Sequence, residues 1–394
     1  MSTGDATYIK ALNKRILLEN IIEHQSISRI ELSRLTGLNR STVSSQINHM
    51  MEEQLIIERP SEVSYGGRKP ILLQMNEAAG YTIGIDFDMP QTQIQIANLL
   101  GKPLANYQVQ TEDEDVCKNI EKVIENVHDV LKKHRVSESP KGLTGIGIGI
   151  HGIVNNDHNI VFTPKVQWNN INMKEAFEKH FDIPIHIDNN ANLTVYAEQV
   201  YHYPMEDLFS ITMYSGIGLG ILEGNDIYKG SQGFAGEIGH MIVERNGLQC
   251  SCGNKGCWEL YASEHALKRT LKAKGYIKHS TDDFDLASIK DESIIEEYLD
   301  YMAVGLNNII NIFNPEIVII NSEFMHQHRH LLISLKKRLN SRMNNYQEIV
   351  TSSLGKEACS LGGVAISLKE YYGINSLNLS HYPYFDKVDK ASIS

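Results

Sequence analysis

The sequence predicts an α/β protein: a small helical head carrying a strand pair, followed by a larger body in which strands alternate with helices. Three observations carry that expectation. Residues 8–54 hold three helical stretches punctuated by capping residues and a glycine turn. Residues 81–98 and 145–152 read as strands. Residues 233–259 form a glycine-rich stretch crowded with ligating side chains.

In the head, Ile9, Leu12, Ile16, Leu17, Asn20 and Ile21 share one face of a helix over 8–23. Ser28 and Glu31 have the spacing of a capping box and start a short helix ending at Thr36. Gly37-Leu38 makes the turn, and Asn39 caps a helix from Arg40 to about Gln54, with Val43, Ile47 and Met50 or Met51 inward. Two helices joined by so short a turn match a helix-turn-helix. The expected outward face of the second is Arg40, Ser41, Thr42, Ser44, Ser45 and Gln46, short polar groups suited to base edges in a major groove. Strands over 55–58 and 71–75 enclose a basic, glycine-rich tip with Arg68 and Lys69, a wing able to reach phosphates. A plain packing hairpin is the other reading of such a helix pair; the wing and the charge distribution favour double-stranded DNA. Residues 1–75 balance at +1, whereas the remainder carries −12 of the net −11.

The chain of 394 residues is long enough for two or three domains. It contains no apolar run of about eighteen residues, so no membrane span is expected. Its start lacks the basic-then-apolar pattern of a signal peptide, so a cytoplasmic location is expected.

In the body, 81–87 is a nearly continuous apolar strand, 93–98 alternates, and 117–134 is an amphipathic helix. The glycine repeat of 145–152 implies a strand approached closely by other groups. A long helix over 294–313, a buried strand over 316–322 and a last helix opening at Leu361 follow, with 382–394 expected to be a loose polar tail. The stretch 233–259 holds Cys250, Cys252 and Cys257 with His240 ten residues upstream. Three thiolates and an imidazole form a closed tetrahedral set, so a structural Zn2+, one per chain, is expected. A disulfide or buried free thiols are the alternatives, but Cys-x-Cys is awkward for a disulfide and only Cys117 and Cys359 remain.

From Tyr81 to about Ala365 the chain resembles the ROK family, named for repressors, open reading frames and sugar kinases. The matching pieces are GIDFD at 84–88, DNNAN at 188–192, YSGIGLG at 214–220, GEIGH at 236–240 and CSCGNKGCWE at 250–259. With the head, the whole is most similar to ROK transcriptional repressors, particularly the xylose repressors of Gram-positive bacteria. The resemblance implies an actin-like, ribonuclease H-like two-lobed sugar-kinase body behind a winged helix-turn-helix. The expected division is 1–76 for the head, 77–200 with 366–394 for the first lobe, and 201–365 for a second lobe bearing the zinc site and a dimer surface. It also implies a sugar in the cleft between lobes, held by Asn189, Asn190, Glu237, His240 and Glu259, with His240 shared by metal and sugar. Trp168 reads equally as an apolar face for the sugar or as packing between lobes.

Departures from the kinase pattern matter. Where family kinases carry Asp-x-Gly-x-Thr to cradle phosphates, this chain has Asp86-Phe87-Asp88-Met89-Pro90. Asp88 repels an anion and Pro90 removes a hydroxyl and an N–H. Where the kinases place a catalytic Asp, it has Asn190, which cannot accept a proton at neutral pH. The expectation is a non-enzymatic, homodimeric, sugar-responsive repressor of operator DNA, with D-xylose the expected inducer and glucose a possible ligand; the alternative is an active or bifunctional ROK sugar kinase.

Overall fold

The computed structural model describes residues 6–61, 70–113, 115–156, 158–163, 172–279 and 284–385. Arg68, Lys69 and Trp168 lie outside the described residues.

Three helices build the head: α1 (Ala6–His24), α2 (Arg29–Thr36) and α3 (Arg40–Glu52). The capping box forms as expected, with the Glu31 N–H donating to Ser28 Oγ and the Ser28 N–H to Glu31 Oε2. Gly37 sits at φ +69° between α2 and α3, and the Thr42 N–H donates to Asn39 Oδ1 at 2.8 Å. Strands β1 (Ile56–Pro60) and β2 (Ile71–Met75) pair antiparallel. The buried face of α1 is Leu17, Leu18, Ile21 and Ile22, whereas Ile9 is exposed. The expected stripe therefore drifts: Leu18 and Ile22 join Leu17 and Ile21 on the buried face, and its N-terminal part, with Ile9, is not buried.

The first body sheet holds β3 (Gly80–Phe87), β4 (Gln91–Asn98) and β5 (Pro103–Gln110), and after α4 (Val116–Lys133) the strand β6 (Gly142–Ile150). A small hairpin of β7 (Ile153–Val154) and β8 (Ile160–Phe162) and α5 (Met173–Glu178) lead to β9 (Ile185–Asn189). Strand order is β5-β4-β3-β6-β9, with β3, β6 and β9 parallel, so their C-terminal ends share one edge. Helix α6 (Asn190–Tyr201) follows directly.

The second sheet begins with β10 (Leu208–Thr212), β11 (Gly218–Glu223) and β12 (Asp226–Ile227). After α7 (Glu259–Ala262), α8 (Glu264–Ala273) and α9 (Ser293–Phe313) come β13 (Ile317–Asn321), α10 (Glu323–Gln327), α11 (His330–Arg338) and β14 (Glu348–Thr351). Its order is β12-β11-β10-β13-β14. Helix α12 (Ala358–Tyr372) then returns to cover β3 and β6 and packs on α6, which in turn lies on β10 and β11. The close approach expected at the glycine repeat is real: a Cβ on Gly147 would stand 2.2 Å from the Gly363 carbonyl oxygen.

The head is continuous with the body. Leu17, Ile21, Leu73, Leu99, Tyr372 and Leu379 belong to one buried cluster. The Asn375 N–H donates to Glu19 Oε1 at 2.8 Å, and Tyr382 Oη donates to the Ile22 carbonyl at 3.0 Å. The part of the tail over 382–385 is therefore packed, not loose: Tyr382, Tyr384 and Phe385 lie on that cluster, their ring area outweighing the polar residues around them.

Candidate functional site

The ligating stretch after β12 folds as irregular chain anchored on glycines. At Gly236, φ is +89° and a Cβ would stand 2.1 Å from the Leu219 carbonyl oxygen, so only glycine lets this loop lie on β11. It delivers His240 beside the three cysteines, and the donor atoms of His240, Cys250, Cys252 and Cys257 all lie within 4.8 Å of one another. Cys252 Sγ is 3.6 Å from Cys257 Sγ, and Cys250 Sγ is 3.6 Å from His240 Nδ1. Tetrahedral donors about 2.3 Å from a metal lie about 3.8 Å apart, whereas disulfide sulfurs lie about 2.05 Å apart. The thiols are spaced as ligands and unbonded to one another. Burial, then the neighbouring thiols, pushes the Cys257 thiol far above its ordinary range, and burial raises Cys250. A cation at the centre supplies what would let these thiols ionise. The donor set fits a bound metal ion.

His240 faces two ways. Its Nδ1 edge meets Cys250 and lies 3.6 Å from Glu259 Oε1, while Nε2 lies 3.9 Å from Glu237 Oε2. Burial raises the carboxyl pKa of Glu237; Glu259 adds to the rise and His240 opposes it. Glu237, His240 and Glu259 thus form one half-buried polar cluster.

Asn189 and Asn190 arrive from the other sheet. Asn189 ends β9 and caps α6: its Oδ1 accepts from the Ala191 N–H at 2.7 Å, and its Nδ2 donates to the Gly152 carbonyl at 2.7 Å. Asn190 opens α6 and is half-buried. The first turn of α6 abuts β11, a Cβ on Gly220 standing 2.2 Å from the Ala191 carbonyl oxygen, and β11 carries the Gly236 loop on its Leu219. The asparagines, through Ala191, and the Glu237 cluster, through the Gly236 loop, thus both neighbour β11, without direct contact between them among the contacts described.

Sequence reasoning assigned no role to the ion chain beneath them. Asp188 is fully buried; its Oδ2 lies 2.6 Å from Lys229 Nζ and 3.5 Å from His186 Nε2, and its Oδ1 accepts from Asn192 Nδ2 at 2.8 Å. His186 Nδ1 in turn lies 2.8 Å from Glu370 Oε1 on α12. Burial alone would raise the Asp188 carboxyl, but His186, Lys229 and Asn192 outweigh it and bring it down to about 2. Burial likewise opposes a charge on His186, yet its two carboxylate partners raise its pKa.

At the end of β3, Asp86 Oδ1 lies 2.8 Å from His151 Nε2, and Asp88 Oδ2 lies 3.9 Å from His151 Nδ1. The Asp88 carbonyl accepts from Thr92 Oγ1 at 3.1 Å and Thr111 Oγ1 at 2.7 Å, which pins the turn. Two carboxylates and an imidazole thus meet at the turn after β3.

In the head, Arg40, Ser41 and Ser45 are exposed on α3, and Thr42 and Ser44 half-exposed. Gln46 is a correction. It is buried, its Nε2 donating to the Lys10 carbonyl at 3.2 Å, because position 46 follows Val43 by three residues and turns toward α1. Asn48, exposed on the same helix and bonded to Arg29 Nη1 at 2.9 Å, takes the outward place instead.

These features define a two-lobed α/β body of the sugar-kinase type joined to an N-terminal helix-turn-helix. The profile of the ROK family matches residues 82–370, and the chain belongs to that family. The xylose repressor of Bacillus spizizenii is 37% identical over 385 residues, covering 95% of this chain and 99% of its own. That of Bacillus subtilis (strain 168) is 36% identical over 382 residues, covering 94% and 98%. A crystal structure of a ROK family transcriptional regulator, a homologue of the E. coli MLC protein, superposes with a TM-score of 0.76 at 21% identity over 92% of this chain and 97% of that one. A ROK family glucokinase from Streptomyces griseus, in complex with glucose and AMPPNP, gives 0.60 at 23% over 73% and 99%. Among the described residues no helix is long and apolar enough to cross a membrane.

Proposed function

We propose that this protein is a sugar-responsive transcriptional repressor: the head binds operator DNA as part of a homodimer, and D-xylose in the cleft between the two sheets releases it. The observation that carries this reading is the joining of an exposed polar α3 face to a ROK body along nearly the full length of the xylose repressors. Arg40, Ser41, Thr42, Ser44 and Ser45 face the groove, with Arg68 and Lys69 on the wing. Residues 1–76 act as the head, 77–200 with 366–394 as the first lobe, and 201–365 as the second.

In the cleft, Asn189 and Asn190 hydrogen-bond sugar hydroxyls from one side, and Glu237, His240 and Glu259 from the other. The metal is zinc, chosen by three thiolates and one imidazole. His240 would ligate it through Nδ1, the nitrogen nearer Cys250, and Nε2 would stay toward Glu237 and the sugar. Phosphoryl transfer is absent on this reading. Asn190 cannot serve as base, and Asp86, His151 and Asp88 fill the phosphate-loop position with a carboxylate-rich cluster that disfavours ATP. For release, sugar need only bind one head arrangement more tightly, a coupling of roughly 1–3 kcal/mol.

The test is calorimetric titration of the full chain with xylose and with glucose, each with and without ATP, alongside operator binding. Sugar binding that weakens the DNA complex and leaves the sugar unphosphorylated is expected. Sugar phosphate formed from ATP would overturn the non-enzymatic reading and establish the kinase alternative.

A further inference from the structure

Between head and body lies a cavity of about 350 Å³ lined by none of the residues assigned to the sugar. Its walls are Tyr8, Leu12 and Arg15 of α1, Glu53 just past α3, and Glu370 and Tyr371 near the end of α12. The volume falls within the range of small-molecule pockets, roughly 300–1,000 Å³, and the wall mixes aromatic, aliphatic and charged groups as such pockets do.

The charges of this wall do not cancel in place. Lys14 is held by Glu53 at 2.6 Å, and Glu370 is held by His186 at 2.8 Å. Arg15 is left. Its Nε is buried and has no hydrogen-bond partner among the described residues. That Nε is closed off from solvent, so it is the terminal Nη groups of the half-buried Arg15 that can meet an acceptor in the cavity. Arg15 presents a planar fork matched to carboxylate or phosphate, and the rings of Tyr8 and Tyr371 offer faces for an organic skeleton.

We propose that this cavity is a second effector site, which takes a small organic anion with its carboxylate or phosphate on Arg15. The location gives occupancy a consequence. The ligand would touch α1 and the end of α3 on the head and α12 on the body, so it would fix the angle at which the head is held. Its wall residue Glu370 is also the last member of the chain running through His186 and Asp188 to Lys229, which places this site and the cleft in one charged network.

The full-length protein is titrated with citrate and, separately, with glucose 6-phosphate, in the presence of saturating xylose to occupy the cleft. At least one probe is expected to bind. Arg15→Gln is expected to weaken that binding at least about tenfold, while xylose affinity, measured in the same protein, stays unchanged. Leu12→Trp, which fills the cavity without touching charge, is expected to abolish probe binding. Failure of both probes to bind, or equal binding by wild type and both variants, overturns the site. Failure of xylose itself to bind would count against the sensor reading and not against this cavity.

Discussion

Lys229 Nζ lies 2.6 Å from Asp188 Oδ2 and joins the loop after β12, on the second sheet, to the end of β9 on the first. Asp188 is followed directly by Asn189 and Asn190, so one ion pair spans the two halves beside the proposed sugar contacts. Lys229→Met leaves the buried Asp188 carboxylate with only the more distant His186 as cation, and a loss of about 3 kcal/mol in unfolding free energy is expected. Urea denaturation measures it. Asp188→Asn in the same background should recover part of the loss.

The same pair sets an acid limit. The Asp188 carboxyl falls from 3.8 to about 2 on folding, so its contribution is fully present above pH 3.8 and disappears as pH falls toward 2. The amount is on the order of 2 kcal/mol. His186, raised from 6.5, acts in the opposite direction: its contribution is present below 6.5 and is lost as pH rises through its higher folded value. Denaturation series from pH 2 to 9 should show both limbs, and Asp188→Asn should flatten the acid one.

Metal analysis tests the thiol cluster. Wild type is expected to carry one zinc per chain, and Cys252→Ser to lose it together with thermal stability and sugar response. A variant that still holds one zinc per chain would remove Cys252 from the ligand set.

On α3, Arg40→Ala is expected to weaken operator binding by about 1–3 kcal/mol while changing binding to random DNA little. Equal losses on both would make Arg40 a phosphate contact.

Gln46→Ala separates reading from packing. Since the Gln46 amide is buried against the Lys10 carbonyl, the expected effect is a stability loss of about 1 kcal/mol with unaltered sequence preference. A changed preference would return Gln46 to the recognition face.

Local rules made much of this legible in the sequence. Ser28, Glu31, Gly37 and Asn39 announce α2 and α3 because caps act within a few residues, and the β1–β2 pair follows from its flanking breakers. The His240–Cys257 cluster was readable because all four side chains sit within eighteen positions of one loop. What escaped depends on distant partners. Lys229 and Asp188 are 41 residues apart, and Glu370 meets His186 across 184 positions, separations at which no periodicity speaks. Gln46 escapes for another reason: its polarity implies exposure, while the helix phase set by Val43 and Ile47 carries it inward.

The crossing of α12 over the first sheet has a mechanical meaning. A Cβ on Gly362 would stand 1.9 Å from the Leu193 carbonyl oxygen of α6, and one on Gly147 2.2 Å from that of Gly363. Strand and helices bear on one another main chain to main chain at these points, with no side chain between them to yield. Rotamer changes cannot absorb a displacement there. A tilt imposed where α6 begins, at Asn190, would therefore press on α12, whose opposite end, at Tyr372 and Gly373, borders the head.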